Sequence, residues 1–230
     1  MKKIGVLLSG CGVYDGAEIQ EAVFTLLAIE ELGEEAICIG IDKEQYHVIN
    51  HLNGSEIQEK RNMFVEAARI SRGAITEIKE IVPSDLDALV IPGGFGSAKN
   101  LTTWAFLGAD ATIIKEVKEL IVELIELGKP ICALCVSPVV VAKALQDSGI
   151  SALMTIGSTE ASSPYDIASF RSDLEATGAR TVNKLVSELA IDEKYKIITA
   201  PCYMMETGLV ALRNNIKTAL EETLRLSDCS

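Results

Sequence analysis

The stretch 129–138, KPICALCVSP, decides the fold. KPICALC reads as a short strand buried on both faces, and SPVVVAKALQ (137–146) as the helix that follows it. The changeover falls at Cys135. A nucleophile on a sharp strand-to-helix bend needs small residues two places before and two places after it, because the backbone is crowded there. Ala133 and Ser137 occupy those places, and Pro138 falls in the first helical turn, where a missing N–H costs nothing. Cys135 would then face a helix N-terminus, whose partial positive charge favours thiolate. The competing reading is a packed cysteine at a strand end, and sequence mechanics alone leave both open.

Working outward, the same alternation recurs. Residues 3–9 read as a buried strand and GCGVYDG (10–16) as a turn. Residues 16–32 read as a helix with Ile19, Val23, Leu26 and Leu27 on its apolar face, stopped by Gly33. EAICIGI (35–41) is a second buried strand, so the pair is parallel with a right-handed crossover. Residues 42–62 form a polar connection that holds both histidines, His47 and His51. Further helices are expected in 61–73, 110–128 and 207–226, and further strands in DALVIPGGFG (87–96) and YKIITAP (195–201). SALMTIG (151–157) is a weaker strand candidate, followed by the loop STEASSP. No repeat or composition break divides the 230 residues, so one α/β domain with a mainly parallel sheet is expected over 1–230.

In such sheets ligands sit beyond the carboxyl ends of the strands. SGCGVYDG, PGGFGSAKNL, CVSP and APCYM all leave strands there. Within the first, Asp15 and Glu18 have capping-box spacing, with Glu18 at the third helical position. The functional reading of Glu18 is a carboxylate aimed at Cys135 that carries a proton. PGGFG supplies Gly93 and Gly94, whose N–H groups could join that of Val136 around a developing oxyanion. Taken alone, P-G-G is mostly just a turn. Cys132 and Cys135 do not read as a redox or zinc pair. Cys132 lies within the strand, the odd separation points the two side chains to opposite faces, and no second ligand pair exists.

The formal charge of −12 argues against nucleic acid and anionic membranes as partners. The six cysteines (Cys11, Cys38, Cys132, Cys135, Cys202, Cys229) fall mostly in apolar runs, as reduced buried thiols do. The opening MKKIGVLLSG has too short an apolar run for a signal peptide and reads as the first strand. No apolar run approaches the ~20 residues of a membrane span. A cytoplasmic protein is expected.

GVYDGAEIQEA, HLNGSEIQEKRNMFVEAARISRG, DALVIPGGFGSAKNL and CALCVSP, in this order, resemble the ElbB group. That is the isoprenoid-biosynthesis protein with an amidotransferase-like domain, also called sigma cross-reacting protein. It is a PfpI-like branch of the class I glutamine amidotransferase-like superfamily. The resemblance implies a flavodoxin-like three-layer sandwich with Cys135 on a nucleophile elbow. It also implies Glu18 hydrogen-bonded to the sulfur, oxyanion donors at Gly94 and Val136, and a homodimer. Cys202 stands where this family would be expected to carry a small residue.

Glutamine hydrolysis and proteolysis need a histidine beside the cysteine. Val136 follows Cys135, and no histidine lies downstream of His51. His51, in HLNG, is the better histidine to line the pocket, although a surface position is the plainer reading of both. A cysteine–carboxylate pair remains, and it suits thiol addition to a small reactive aldehyde. The first expectation is therefore a cofactor-independent, metal-free, glyoxalase-like conversion of methylglyoxal or glyoxal to a hydroxy acid. The alternatives are a non-enzymatic redox module whose cysteine is oxidised to sulfinate, and an accessory protein of isoprenoid synthesis. Cys11 leaves the first strand at the same sheet end and reads as a packed thiol before a resolving one.

Overall fold

Short β-rich runs with no polar alternation must be covered on both faces, and they form the centre of the molecule. The computed structural model describes residues 1–228, so Cys229 lies outside the described residues. The strands are β1 (Lys3–Leu7), β2 (Glu35–Gly40), β3 (Thr76–Glu77), β4 (Ala88–Ile91), β5 (Ile131–Leu134), β6 (Leu153–Met154), β7 (Arg180–Thr181), β8 (Ala190–Asp192) and β9 (Ile197–Ala200). The helices are α1 (Ile19–Glu31), α2 (Met63–Ile70), α3 (Trp104–Leu107), α4 (Lys115–Glu126), α5 (Pro138–Leu145), α6 (Ile167–Ala176) and α7 (Leu209–Ser227).

The main sheet runs β3-β2-β1-β4-β5-β9-β8. Every pair is parallel except the edge pair β8–β9. Helices flank it, as expected of a flavodoxin-like sandwich. β4 and β5 are buried at every position, in register Leu89 to Ile131, and β5 continues that register onto β9, Ile131 to Ile197. The chain adds strands outward from β1 through β2 to β3, then returns to β4 on the other side of β1. This reversal opens the crevice where the loops after β1, β4, β5 and β9 meet.

Several expectations change. α1 begins at Ile19, three residues later than a cap at Asp15 would give, because residues 12–17 close on themselves first. Gly16 N–H donates to the Gly12 carbonyl (2.7 Å) and Gly12 N–H to the Ala17 carbonyl (2.8 Å). The face of α1 that packs inward is the small one, Ala22, Thr25 and Ala28, together with Glu21 and Ile29; Ile19, Val23 and Leu27 point outward. The helix expected over 110–128 starts at Lys115, because Ile113 is drawn into an antiparallel bridge with Thr102. Helix α6 lies in a segment to which the sequence assigned no element, and SALMTIG forms strand only over β6, paired with β7 in a separate two-stranded sheet.

Candidate active site

The elbow at Cys135 is present and strained in the expected way. Its φ is +56°, in the left-handed region that costs an L-residue roughly 1–2 kcal/mol. The bend is held from three sides. Cys135 N–H donates to the Ala200 carbonyl at 2.9 Å, and Ser137 N–H closes on the Leu134 carbonyl at 2.9 Å. Ser137 Oγ reaches the Pro92 carbonyl (2.7 Å) and Ser97 Oγ (2.8 Å), which ties the start of α5 to the exit of β4. Ala133 and Ser137 are both fully buried, so larger side chains at those positions would have no room.

The glycine turn after β4 is laced to the loop after β1. Glu18 N–H donates to the Gly93 carbonyl (2.8 Å), Phe95 N–H to the Val13 carbonyl (2.7 Å) and Gly96 N–H to the Gly16 carbonyl (2.9 Å). Gly94 has φ +101°, and a Cβ there would stand 2.4 Å from both Glu18 N and the Gly16 carbonyl oxygen. Those are backbone atoms and cannot yield. Gly94→Ala is expected to cost at least about 2 kcal/mol in urea unfolding, from strain plus overpacking. An unchanged urea midpoint would show that the turn is not built this tightly.

The sulfur's carboxyl partner is Glu21, one helical turn beyond the expected residue. Glu21 shares a side-chain hydrogen bond with Cys135, while Gly94 and Val136 offer their N–H groups to the same sulfur. Glu18 is the N-cap of α1, and its Oε2 accepts from Glu21 N–H at 2.7 Å. Because the helix starts later, the residue at the cap is Glu18 and the one turned towards the sheet is Glu21. The Gly93 N–H is also committed elsewhere: it donates to Glu21 Oε2 at 2.8 Å, so it is not directed at an oxyanion position. Tyr203 N–H reaches Glu21 Oε1 at 3.3 Å. A Cβ on Gly93 would come within 2.4 Å of Cys135 Cβ and 2.5 Å of Glu21 Oε2, so only glycine lets these two groups approach.

Burial, with the Glu18 charge adding to it, raises the Glu21 carboxyl to about 8. Burial and the Glu21 charge push the Cys135 thiol up, against the pull of the Gly94 and Val136 N–H groups. Below about pH 8 Glu21 keeps its proton, its charge no longer opposes a thiolate, and it can donate to the sulfur. Glu18 is also raised by burial, but the N–H groups of residues 19–21 pull it back. Glu21 is thus poised to hold a proton beside the sulfur.

This arrangement has a signature in stability. Between the ordinary carboxyl value of 4.5 and about 8, the folded chain holds a proton on Glu21 that the unfolded chain has released. The contribution of this group therefore falls as pH rises through that window, by about 1.4 kcal/mol per pH unit. Glu21→Gln should flatten the slope. Urea unfolding of both proteins at about pH 5.5 and 7.5 measures it, and parallel pH dependences would contradict the assignment.

The sulfur opens on a cavity of about 20 Å³ with apolar walls from Val13, Phe95, Phe170 and Met204. That is room for about one or two water-sized molecules. Glu18, Tyr165 and Tyr203 line this chamber and also a shallower outer depression of about 390 Å³, so they stand between the two. A groove of about 610 Å³ beside α7 offers Glu206 as its only ionisable side chain and does not reach the sulfur.

His51 does not line the chamber. Its Nε2 accepts from Tyr14 N–H (3.3 Å), lies 3.7 Å from Asp15 Oδ1, and its ring packs on Tyr14 at 5.0 Å. The loop after β1 thus uses His51 as a brace, since Gly12 leaves it space. His47 packs on Tyr46 and Phe106, away from the site. Cys202 is fully buried and follows β9, the strand paired with β5. Among the described residues, no group of three or more His, Cys, Asp or Glu is placed to hold a metal ion, and no helix is long and apolar enough to cross a membrane.

Glu21, Tyr165 and Tyr203 are the residues that sequence reasoning missed. Glu21 was concealed by its place in a helix with an apolar stripe on another face. Tyr165 comes from a loop with no motif, and Tyr203 lies in APCYM, a segment placed at this end of the sheet without its tyrosine being singled out.

The family model described as DJ-1/PfpI family matches residues 11–201. The human glutamine amidotransferase-like class 1 domain-containing protein 3, mitochondrial, is 38% identical over 227 residues, covering 98% of this chain and 83% of that protein. The rat ES1 protein homolog, mitochondrial, is 37% identical over 227 residues, covering 98% and 84%. Both relatives are named as mitochondrial, so they lend no support to the cytoplasmic expectation. Among solved structures, the isoprenoid biosynthesis protein with amidotransferase-like domain from Ehrlichia chaffeensis aligns with TM-score 0.88 at 30% identity, over 98% of this chain and 99% of that one.

Proposed function

The chain belongs to the DJ-1/PfpI family, and on that footing we propose that it converts small 2-oxoaldehydes to hydroxy acids without a cofactor, through Cys135, Glu18 and Glu21. Within the family we place it with the ElbB-like proteins, on the strength of its similarity to the Ehrlichia chaffeensis structure. The observation that carries the reading is the sulfur itself. It sits on a left-handed elbow, faces two N–H donors and one carboxyl, and opens on a chamber bordered by a second carboxyl.

The chamber is too small for a whole methylglyoxal molecule. The aldehyde group enters, while the ketone and methyl stay in the outer depression between Tyr165 and Tyr203. Cys135 adds through sulfur to the aldehyde carbon, and its proton reaches the carbonyl oxygen by way of Glu21, giving a hemithioacetal. The N–H groups of Gly94 and Val136 steady the oxygen as charge develops on it. Glu18 removes the C–H proton of the hemithioacetal, leaving an enediolate; the C1 hydroxyl proton passes to the C2 oxygen, and Glu18 returns its proton to C2 as the C1 carbonyl forms. The resulting lactoyl thioester is hydrolysed by water, which restores the thiol. In deuterium oxide, lactate should carry deuterium at C2, because the Glu18 proton exchanges with solvent. Lactate without that deuterium would mean hydride migration, and no lactate would end the proposal.

A second reading is favoured by the size of the chamber. A space for about one or two water-sized molecules suits hydrogen peroxide better than any carbon compound. Under this reading Cys135 is a redox centre that takes up oxygen atoms along the cysteine oxidation ladder. The homodimer implied by the ElbB resemblance has a candidate surface in Ile19, Val23 and Leu27, spaced four apart on α1 and 46%, 45% and 39% exposed. Val23→Asp is expected to yield a monomer in sedimentation analysis; an unchanged dimer would place the interface elsewhere.

A further inference from the structure

Among the described residues five non-glycine residues have positive φ, and two are cysteines on adjacent strand exits: Cys135 (56°) after β5 and Cys202 (46°) after β9. The strands are paired, with Leu134 opposite Ala200. The Cys135 N–H donates to the carbonyl of Ala200, two residues before Cys202, at 2.9 Å. The Glu21 carboxyl acts on both sulfurs, and its Oε1 is held by the N–H of Tyr203, the residue after Cys202. Cys202 is fixed by Asn215, whose Oδ1 accepts from its N–H (3.1 Å) and its thiol (3.6 Å). Cys132 is different: it sits within β5 and its thiol bonds to Thr223. Left-handed backbone at a non-glycine residue is strained and persists where the surroundings impose it. A packed thiol does not require it.

We propose that Cys202 is a resolving thiol for Cys135, and that the two together reduce a hydroperoxide and close a Cys135–Cys202 disulfide. The inference rests on the redox reading of the site. The Cys135 sulfur attacks one peroxide oxygen, the O–O bond breaks, and the other oxygen leaves as an alcohol or water carrying the proton of the Cys135 thiol. Cys135 becomes a sulfenic acid. The Cys202 sulfur then attacks the Cys135 sulfur, the S–S bond forms, the S–O bond breaks, and the hydroxyl leaves as water with the Cys202 proton. Overall one hydroperoxide and two thiols give one alcohol or water, one further water and one disulfide. Asn215 Oδ1 keeps the Cys202 N–H when the thiol proton is lost. A dithiol returns the pair to its starting state.

The test treats the reduced full chain with equimolar hydrogen peroxide, alkylates remaining thiols under denaturing conditions and maps the peptides. A Cys135–Cys202 linked peptide that dithiothreitol releases is the expected result. Sulfinate on Cys135 with Cys202 alkylated would overturn the resolving role while leaving the redox reading standing. Unmodified Cys135 would overturn both, and a link from Cys135 to Cys132 or Cys11 would assign the role to another thiol. Cys202→Ser and Cys202→Gly, the latter free of backbone strain at positive φ, should each divert the product to Cys135 sulfinate and lose dithiothreitol-supported peroxide consumption. If either variant keeps that consumption, Cys202 is not the resolving thiol.

Discussion

Replacing Cys135 by alanine is expected to abolish lactate formation from methylglyoxal while leaving the protein folded. The side chain removed is one sulfur atom beside a small cavity, and alanine meets the same backbone strain at φ +56° that cysteine already bears. The cost in stability should stay near about 1 kcal/mol, as most single substitutions do. The cost in rate is complete under the proposed route, because no other group in the chamber forms the covalent adduct. Cys135→Ser is the sharper variant: its hydroxyl can still meet Glu21, Gly94 and Val136, yet it is a far weaker nucleophile. Lactate formation at the parental rate by either variant, followed by proton NMR, would remove Cys135 from the mechanism.

The second large effect is expected at Glu18. As the proposed general base of the enediol step it would account for roughly 10²- to 10⁴-fold in rate. Glu18→Gln keeps an oxygen to accept the Glu21 N–H at the start of α1, so the cap survives and the loss falls on kcat. Glu18→Ala removes both cap and base, and the difference between the two variants separates helix stability from chemistry. A Glu18→Gln protein with more than about a tenth of the parental kcat would fall outside the general-base range and pass the role to Glu21.

The topology was legible because buried parallel strands announce themselves. EAICIGI, ALVI and KPICALC are too short and too evenly apolar for surface helices, and ALVI leaves through Pro92 and two glycines. Ala133, Ser137 and Pro138 left an elbow and a packed cysteine both open, because crowding at such a bend permits these residues without requiring the bend; the family resemblance is what implied the elbow. The identity of the carboxyl on the sulfur could not be read. A capping box at Asp15 and one at Glu18 look alike in sequence; what separates them is the closed turn over residues 12–17, a matter of loop hydrogen bonds. The inward face of α1 was hidden for a related reason. Its apolar stripe at Ile19, Val23 and Leu27 outscores Ala22, Thr25 and Ala28, yet only small side chains leave Glu21 a place against the sheet. Gly93 shows the same limit at close range. P-G-G promised N–H donors, but which N–H meets a sulfur and which a carboxyl depends on a contact between residues far apart in the chain.

The most direct measurement is peptide mapping of the protein quenched in acid during turnover of methylglyoxal. The account predicts a lactoyl thioester on the peptide that contains Cys135, removed by hydroxylamine and absent from the Cys135→Ala protein. Turnover with Cys135 unlabelled, or a thioester on Cys11 instead, would contradict it.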